Sequence, residues 1–192
     1  MAILARIRAV WRHLPPQGKL LFFDVQQVTV KAYGGQRYTS ARRLVLARQQ
    51  KTRGRFYLFL AYDVRSGKIH WAYLPGKGST NVCRFLRRIR RWYPTGPVWI
   101  GLDQDSAHPR RSRLTRRTMR ELKLRWISMP KACPDDNPVE TIFSPVRTLI
   151  LDSSNDPNAA VTRRRISIYL RRHNRRRDRW IQISHLPDIH KH

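Results

Sequence analysis

The chain has 192 residues, 41% hydrophobic and 10% aromatic, which is enough for one folded domain with a buried core. Its 40 Lys and Arg against 12 Asp and Glu give a net charge of +28, and arginines outnumber lysines by 32 to 8. This balance favours nucleic acid as the partner, and the lack of any apolar run near the ~20 residues of a membrane span argues against a membrane protein.

The first part of the chain predicts a helix followed by strands. Apolar residues spaced three and four apart predict a short helix over 2–13, which the break at Pro15 ends. Residues 19–30 are then typical of a strand. Gly34-Gly35 marks a turn, and a second short strand is expected at 44–47.

The middle of the chain predicts a hairpin, a helix and a strand. Residues 55–64 and 68–74 flank Arg65-Ser66-Gly67, a combination typical of a β-hairpin. An amphipathic helix is predicted over 80–92, with arginines on its polar side. The apolar run that follows predicts a strand over 98–103.

The last part alternates helices with a short strand. A basic helix is predicted over 110–123 and a strand over 124–129. Asn137 as N-cap and Pro138 as first helical residue predict a helix running to about Leu151. A final helix is expected over 159–173.

The order of these elements predicts an α/β fold, in which a mixed sheet has helices on its faces. The loop at 152–157 is too short to separate two domains. We expect an N-terminal helix and linker over 1–18, one domain over 19–182 and a tail over 183–192. Cys83 and Cys133 have neither metal-site nor disulfide spacing, and the N-terminal residues are too short for a signal peptide, so we expect a cytoplasmic, nucleoid-associated protein.

Acidic residues are scarce, and three of them occupy informative positions. Asp24 lies inside the apolar run 20–25, where a carboxylate is costly unless something compensates it. Asp103 ends a buried-type strand, where the open edge of a sheet places ligand-binding residues. Glu140 falls three residues after the Asn137 cap, in the first turn of a helix beside a strand end.

Each of these acids also has a simpler interpretation. Asp24 could lie on a solvated face of its strand, and Asp103 could simply form a turn. Glu140 could close a capping box with Asn137 and favour the positive end of its helix. Asp135 and Asp136 are expected to be loop and cap residues, and His108 a structural or solvent-facing histidine. As a set, the carboxylates fit Mg²⁺, which takes oxygen ligands and needs few of them when phosphate oxygens are present.

Two segments resemble the mariner superfamily of transposases in its bacterial insertion-sequence branch. Residues 102–108, Leu-Asp-Gln-Asp-Ser-Ala-His, resemble the family's D-N-x-x-x-H segment. Residues 129–140, Met-Pro-Lys-Ala-Cys-Pro-Asp-Asp-Asn-Pro-Val-Glu, resemble its L-P-x-x-S-P-D-L-N-P-I-E motif. Phe23-Asp24 is similar to the first acidic strand, and the resemblance covers roughly 19–182. The chain departs from the family at Val25, where Glu is common, at Gln104 for Asn and at Cys133 for Ser.

The resemblance implies a ribonuclease-H-like catalytic domain over 19–182. It implies that Asp24, Asp103 and Glu140 are both the catalytic residues and the ligands of Mg²⁺ or Mn²⁺, with two ions in the site. The implied activity is metal-dependent DNA cleavage and strand transfer in transposition, with transposon ends and target DNA as partners. A family helix-turn-helix region does not fit before the strand at 19, so a separate helix-turn-helix protein is an expected partner, as is a second copy of the chain.

Basic residues are expected to hold the DNA backbone. The basic helices at 84–91, 110–123 and 163–177 are the candidates, together with Lys131 just before the acidic motif. The predicted phosphate-binding residues are Arg87, Arg88, Arg110, Arg111, Arg113, Arg116, Arg117 and Lys131. Two other functions stay open at this point: a catalytically silent nucleic-acid-binding remnant of a transposase, and a host nuclease or resolvase of the same fold.

Overall fold

The computed structural model describes residues 2–31, 51–103, 108, 111–129, 137–152 and 154–176. Within them, one five-stranded sheet contains β1 (Lys19–Val30), β2 (Gly54–Asp63), β3 (Ile69–Leu74), β4 (Val98–Leu102) and β5 (Leu124–Ser128). The strand order is β3-β2-β1-β4-β5. The β1–β2 and β2–β3 pairs are antiparallel, whereas β1–β4 and β4–β5 are parallel. The predicted α/β class with a mixed sheet is confirmed.

In the described part of the chain, five α-helices cover the two faces of this sheet: α1 (Ala2–Arg12), α2 (Ser79–Trp92), α3 (Arg113–Glu121), α4 (Glu140–Pro145) and α5 (Ala159–Arg175). The helices α1, α4 and α5 pack on the face that contains Leu20 and Phe22. The helices α2 and α3 pack on the face that contains Leu21 and Phe23. We call these the Phe22 face and the Phe23 face.

Strict alternation along β1 divides its side chains between these faces. Both Phe22 and Phe23 are fully buried, and each such side chain contributes roughly 1.5–3 kcal/mol to the free energy of unfolding. Asp24 follows the same alternation and therefore shares the Phe22 face. The fold thus determines on which side of the sheet the acidic residue of β1 must act.

Most predicted elements lie within a few residues of the observed ones. The predicted strand over 19–30 coincides with β1, and the helix predicted over 80–92 begins at Ser79. The basic helix predicted over 110–123 is shorter, and Ser112 caps it by accepting a hydrogen bond from the backbone N–H of Thr115. The strand predicted at 44–47 and the tail lie outside the described residues. None of the helices in the described ranges is long and apolar enough to cross a membrane.

The helix predicted to run from Asn137 to about Leu151 ends where it was predicted to end, but it begins later and changes type along its length. The α-helical part starts at Glu140 and stops at Pro145, and a π-helix follows over Val146–Leu151. Proline has no backbone N–H and crowds the preceding turn, which explains the change of helix type. The N–H of Asp152 donates to the carbonyl of Arg147 at 2.8 Å, five residues back, as in a π turn.

Candidate active site

The carboxylate of Asp24 is half-buried and weakly compensated. The backbone N–H of Val25 donates to its Oδ1 at 2.6 Å. Burial, followed by the negative charges of Asp103 and Glu140, raises the pKa of the Asp24 carboxyl to about 7, against the lowering effect of that N–H group. A raised pKa means that the ionised form lacks sufficient positive partners. The partial burial of Asp24 thus favours the functional interpretation over a fully solvated position.

Asp103 lies one residue beyond the carboxyl end of β4, the strand that pairs with β1. The strands β1 and β4 are parallel, and Phe22 pairs with Gly101. A Cβ atom at Gly101 would lie 2.9 Å from Cδ1 of Phe22, so only glycine fits this close approach. The Asp103 side chain is 47% exposed, which leaves its carboxylate accessible from solvent.

His108 lies beneath Asp103 and contacts it directly. Its Nδ1 is 2.5 Å from Oδ1 of Asp103, and the histidine is 3% exposed. Its ring centroid is 5.5 Å from that of Phe23. Of the two expected roles, structural or solvent-facing, the structure shows the structural one, since His108 is a buried partner of the Asp103 side chain. The D-x-x-x-x-H spacing in the sequence was the signal that could have predicted this contact.

Glu140 is the first residue of α4, and the turn before it is capped by Asn137. The Oδ1 of Asn137 accepts a hydrogen bond from the N–H of Val139 at 3.2 Å, and the N–H of Glu140 donates to the Asn137 carbonyl at 3.0 Å. Buried Ile142 and Phe143 anchor the helix on the Phe22 face. The predicted cap at Asn137 is thus present, although the α-helix starts later, with Val139 in the cap position. Among the hydrogen bonds of the described residues, none closes the expected capping box from the Glu140 carboxylate.

Asp103 and Glu140 both lie within electrostatic reach of Asp24, and their charges act on it. In the described part of the chain, no three His, Cys, Asp or Glu side chains surround a single ion position. Mg²⁺ commonly takes only one or two protein carboxylates and fills its other positions with water and phosphate oxygens, so this donor set fits it. Asp105, Asp135 and Asp136 lie outside the described residues.

The candidate DNA-binding residues have different surroundings. Of the predicted phosphate-binding residues, Arg110 and Lys131 lie outside the described residues. The other six are exposed: Arg87, Arg88, Arg111, Arg113, Arg116 and Arg117. Three arginines of the predicted basic helices instead have structural contacts. Arg90 donates to the carbonyls of Leu122 and Lys123. Arg165 pairs with Asp156 at 2.7 Å, and the guanidinium of Arg163 lies 4.7 Å from the ring centroid of Phe56.

A second buried carboxylate, Asp63, is fully compensated. It lies at the end of β2 and is 0% exposed. It accepts hydrogen bonds from the hydroxyls of Ser66 at 2.7 Å and Tyr93 at 2.9 Å and from the N–H of Arg65 at 3.0 Å, and Lys19 Nζ lies 3.7 Å away. Burial and the charge of Asp63 raise the pKa of Tyr93, which therefore keeps its proton and remains a donor. Asp63 fixes the β2–β3 hairpin to α2 and β1.

Comparison with known proteins identifies the family. Residues 19–159 match the family described as DDE superfamily endonuclease. The chain belongs to this family. No curated protein matches the sequence of this DDE superfamily endonuclease.

Solved structures with the same fold include transposases. The Mos1 mariner transposase catalytic domain superposes with a TM-score of 0.66 at 13% identity, over 98% of this chain and 86% of that one. The Mos1 transposase paired-end complex with left transposon end gives a TM-score of 0.68 at 14% identity, over 97% of this chain and 57% of that one. A simian T-cell lymphotropic virus intasome gives 0.54 at 15% identity, over 94% and 58%.

These likenesses confirm the predicted ribonuclease-H-like fold. The chain spans a little over half the length of the Mos1 chains in the DNA complexes that it matches. At identities this low, the match shows a shared backbone arrangement and does not assign roles to individual residues.

Proposed function

We propose that the chain is a transposase catalytic domain that cleaves DNA and transfers the cut strand, with Asp24, Asp103 and Glu140 as its catalytic residues. The observation that carries this proposal is the half-buried Asp24 carboxylate, on which the charges of Asp103 and Glu140 act, in a DDE superfamily endonuclease of charge +28. An acidic cluster repels a DNA substrate unless cations neutralise it. We therefore propose that the same three residues hold Mg²⁺ or Mn²⁺, as two ions.

When bound, such ions would activate a water or a DNA 3′-hydroxyl and stabilise the leaving oxygen. The residues of this chain prepare the site for them. Because its pKa is about 7, the Asp24 carboxyl is close to half protonated at neutral pH without a cation, and a bound cation would favour its ionised form. His108 holds the Asp103 carboxylate from below. The buried side chains of α4 fix the position of Glu140 at the edge of the sheet.

We propose that the predicted phosphate-binding arginines and Lys131 contact DNA phosphates. Such contacts position a duplex without reading its sequence. We propose that residues 19–182 form the catalytic domain, with 1–18 as helix and linker and 183–192 as a tail. Mos1 structures of this fold are described as paired-end and strand-transfer complexes, which supports transposon ends and target DNA as substrates. By the same reasoning, a helix-turn-helix protein and a second copy of the chain are proposed partners.

The substitution Glu140→Gln tests the proposal, because it keeps the shape and removes the charge. The chain has one other glutamate, the exposed Glu121, so Glu121→Gln is a matched control. We expect Mg²⁺- or Mn²⁺-dependent nicking of DNA to fall at least about a hundredfold in Glu140→Gln. Folding and DNA binding should survive, and Glu121→Gln should cleave as the parent does.

Each other outcome has a definite meaning. If Glu140→Gln cleaves at the parental rate, Glu140 is not a catalytic residue. If the parent binds DNA but shows no metal-dependent cleavage, the chain is a silent DNA-binding remnant. If it nicks DNA but fails to join a labelled donor end to a second DNA, a host nuclease of the same fold is the better description.

A further inference from the structure

The outer side of α2 is a stripe of arginines. Its buried residues include Val82, Phe85, Leu86 and Ile89, which face the sheet. Four exposed residues at positions i, i+3, i+4 and i+7 lie on the opposite side of the helix. They are Arg84, Arg87, Arg88 and Arg91.

The outer side of α3 repeats this pattern. Thr115, Thr118 and Met119 are buried toward the sheet and α2. Four exposed arginines at i, i+3, i+4 and i+7 point away from them, and with Leu114 they line a surface hollow of about 480 Å³. They are Arg113, Arg116, Arg117 and Arg120.

The two stripes belong to one rigid surface. Arg90, between the stripe residues of α2, donates to the carbonyl of Leu122 at 2.9 Å and to that of Lys123 at 3.1 Å, just beyond the end of α3. Cys83 Sγ contacts Thr115 Oγ1 at 4.0 Å between the helices. We call the eight stripe residues together the α2–α3 arginine surface.

Few acidic residues are available to neutralise this surface. The sequence has no Asp or Glu over 64–102 and only Glu121 over 106–134. Glu121 lies 3.5 Å from Arg117, and both side chains are more than half exposed, so this ion pair is weak. A concentration of like charges on a fixed surface produces a strong positive potential that attracts a polyanion.

The α2–α3 arginine surface lies on the opposite side of the sheet from Asp24 and α4. Asp24 shares the Phe22 face with α4, whereas α2 and α3 cover the Phe23 face. The arginines project from the far side of these helices, and a helix with its side chains is about 10 Å thick. One straight duplex could not contact both the outer side of α2 and α3 and the Phe22 face, because the domain lies between them.

We propose that the α2–α3 arginine surface binds the phosphate backbone of a second DNA duplex, separate from the strand cleaved at the acidic site. The inference rests on the proposed function, since a strand-transfer reaction must hold two DNA molecules at once. The arginines would contact phosphates and not base edges, so binding would not depend on the base sequence of the DNA.

The test uses two variants with equal loss of charge. The first replaces four residues of the surface, as Arg87→Gln, Arg88→Gln, Arg116→Gln and Arg117→Gln. The matched control replaces four exposed arginines elsewhere, as Arg6→Gln, Arg8→Gln, Arg12→Gln and Arg55→Gln. Glutamine has a helix propensity close to that of arginine, and a thermal melt checks that each variant is folded.

Native mass spectrometry in EDTA then counts how many short duplexes one protein molecule binds as duplex is added. We expect the parent and the control to form a complex of one protein with two duplexes. In the surface variant, the affinity for the second duplex should fall at least tenfold more than the affinity for the first. The slope of log K against log salt for the second duplex should become shallower by about three.

A parent that never binds two duplexes, or equal losses in both variants, would overturn the inference. The measurement needs no cleavage, so it is independent of the Glu140→Gln result. If the protein binds two duplexes but never cleaves DNA, the second-duplex surface is supported and the proposed catalytic function is overturned. If it cleaves DNA but binds only one duplex, the catalytic function is supported and the second-duplex surface is overturned.

Discussion

Asp24 and Asp63 lie on neighbouring strands, β1 and β2, yet their surroundings differ in a way that separates function from structure. Asp63 is completely buried and accepts hydrogen bonds from two hydroxyls and a backbone N–H, with Lys19 nearby. Asp24 accepts one described hydrogen bond, from the adjacent Val25, and has two further acids within electrostatic reach. The fold satisfies one carboxylate and leaves the other requiring a cation.

This difference predicts opposite effects for the same substitution. Removing a satisfied charge leaves its donors without an acceptor and destabilises the protein. Removing an under-compensated charge relieves repulsion and the cost of burial. Aspartate to asparagine at each position therefore compares the two directly.

The largest effect is expected on catalysis in Asp24→Asn. Loss of this carboxylate should lower metal-dependent nicking by about a hundredfold to a thousandfold, because a cation ligand is removed. Asp63→Asn, assayed well below its melting temperature, should stay within a few-fold of the parent. Rates measured on plasmid DNA with matched folded protein decide this, and equal losses in both variants would remove the distinction between the two acids.

The next effect is the stability of Asp63→Asn. Its amide group turns a donor toward hydroxyl and N–H donors, so the free energy of unfolding should fall by about 2–4 kcal/mol. Urea denaturation at pH 7 measures this, with Asp24→Asn as the paired variant. An unchanged midpoint for Asp63→Asn would mean that the hydrogen bonds around Asp63 contribute little.

Asp24 should also make stability depend on pH. Its pKa is about 7 in the folded protein against 3.8 for the ordinary carboxyl, so the folded state binds more protons between pH 4 and 7. Stability of the metal-free parent should therefore fall relative to Asp24→Asn as pH rises through this window, by about 1–3 kcal/mol in total. Melting curves of both proteins in EDTA from pH 4 to 8 test it, and parallel curves would contradict the raised pKa.

The smallest effect is expected for Tyr93→Phe. The hydroxyl donates to Asp63 and lies 2.6 Å from Nε2 of His70, whose pKa burial lowers to about 4. Losing one donor of several should reduce the free energy of unfolding by about 1–2 kcal/mol, less than Asp63→Asn. A double-mutant cycle with Asp63→Asn should show a coupling energy, whereas strictly additive losses would indicate that the hydroxyl acts independently of Asp63.

Most strands and helices could be predicted from the spacing of apolar residues and from the turn residues that bound them, because these local features determine where such elements form. The apolar run at 19–30 is bounded by Gly18 and gave the limits of β1, and the spacing of Val82, Phe85 and Ile89 gave α2. The three acids were predicted from their placement at a strand centre, a strand end and a helix start. Parallel pairing of β1 with β4 brings Asp103 close to Asp24. The charge of Glu140 on α4 also acts on Asp24.

Long-range contacts explain what the sequence did not predict. Arg90 belongs to a basic helix, and only the packing of α2 against α3 shows that it binds carbonyls. His108 is buried, and its ring centroid lies 5.5 Å from that of Phe23, a residue far from it in sequence. The break at Pro145 was visible in the sequence, but the π turn also depends on the burial of Val146 and Ile150 against the sheet. Such contacts join residues far apart along the chain and have no local pattern.

The π-helix after α4 has a consequence for the evolution of the chain. A π turn holds more residues than an α turn and is the form that a single insertion takes when a helix absorbs it. Because Ile142 and Phe143 are buried in the α-helical part and Ile150 near the end of the π-helix, a change of length here would be taken up between these buried residues. Glu140 is thereby insulated from drift in the loop that leads to α5. We expect related chains to vary in length beyond residue 146 while keeping the spacing from Asn137 to Phe143.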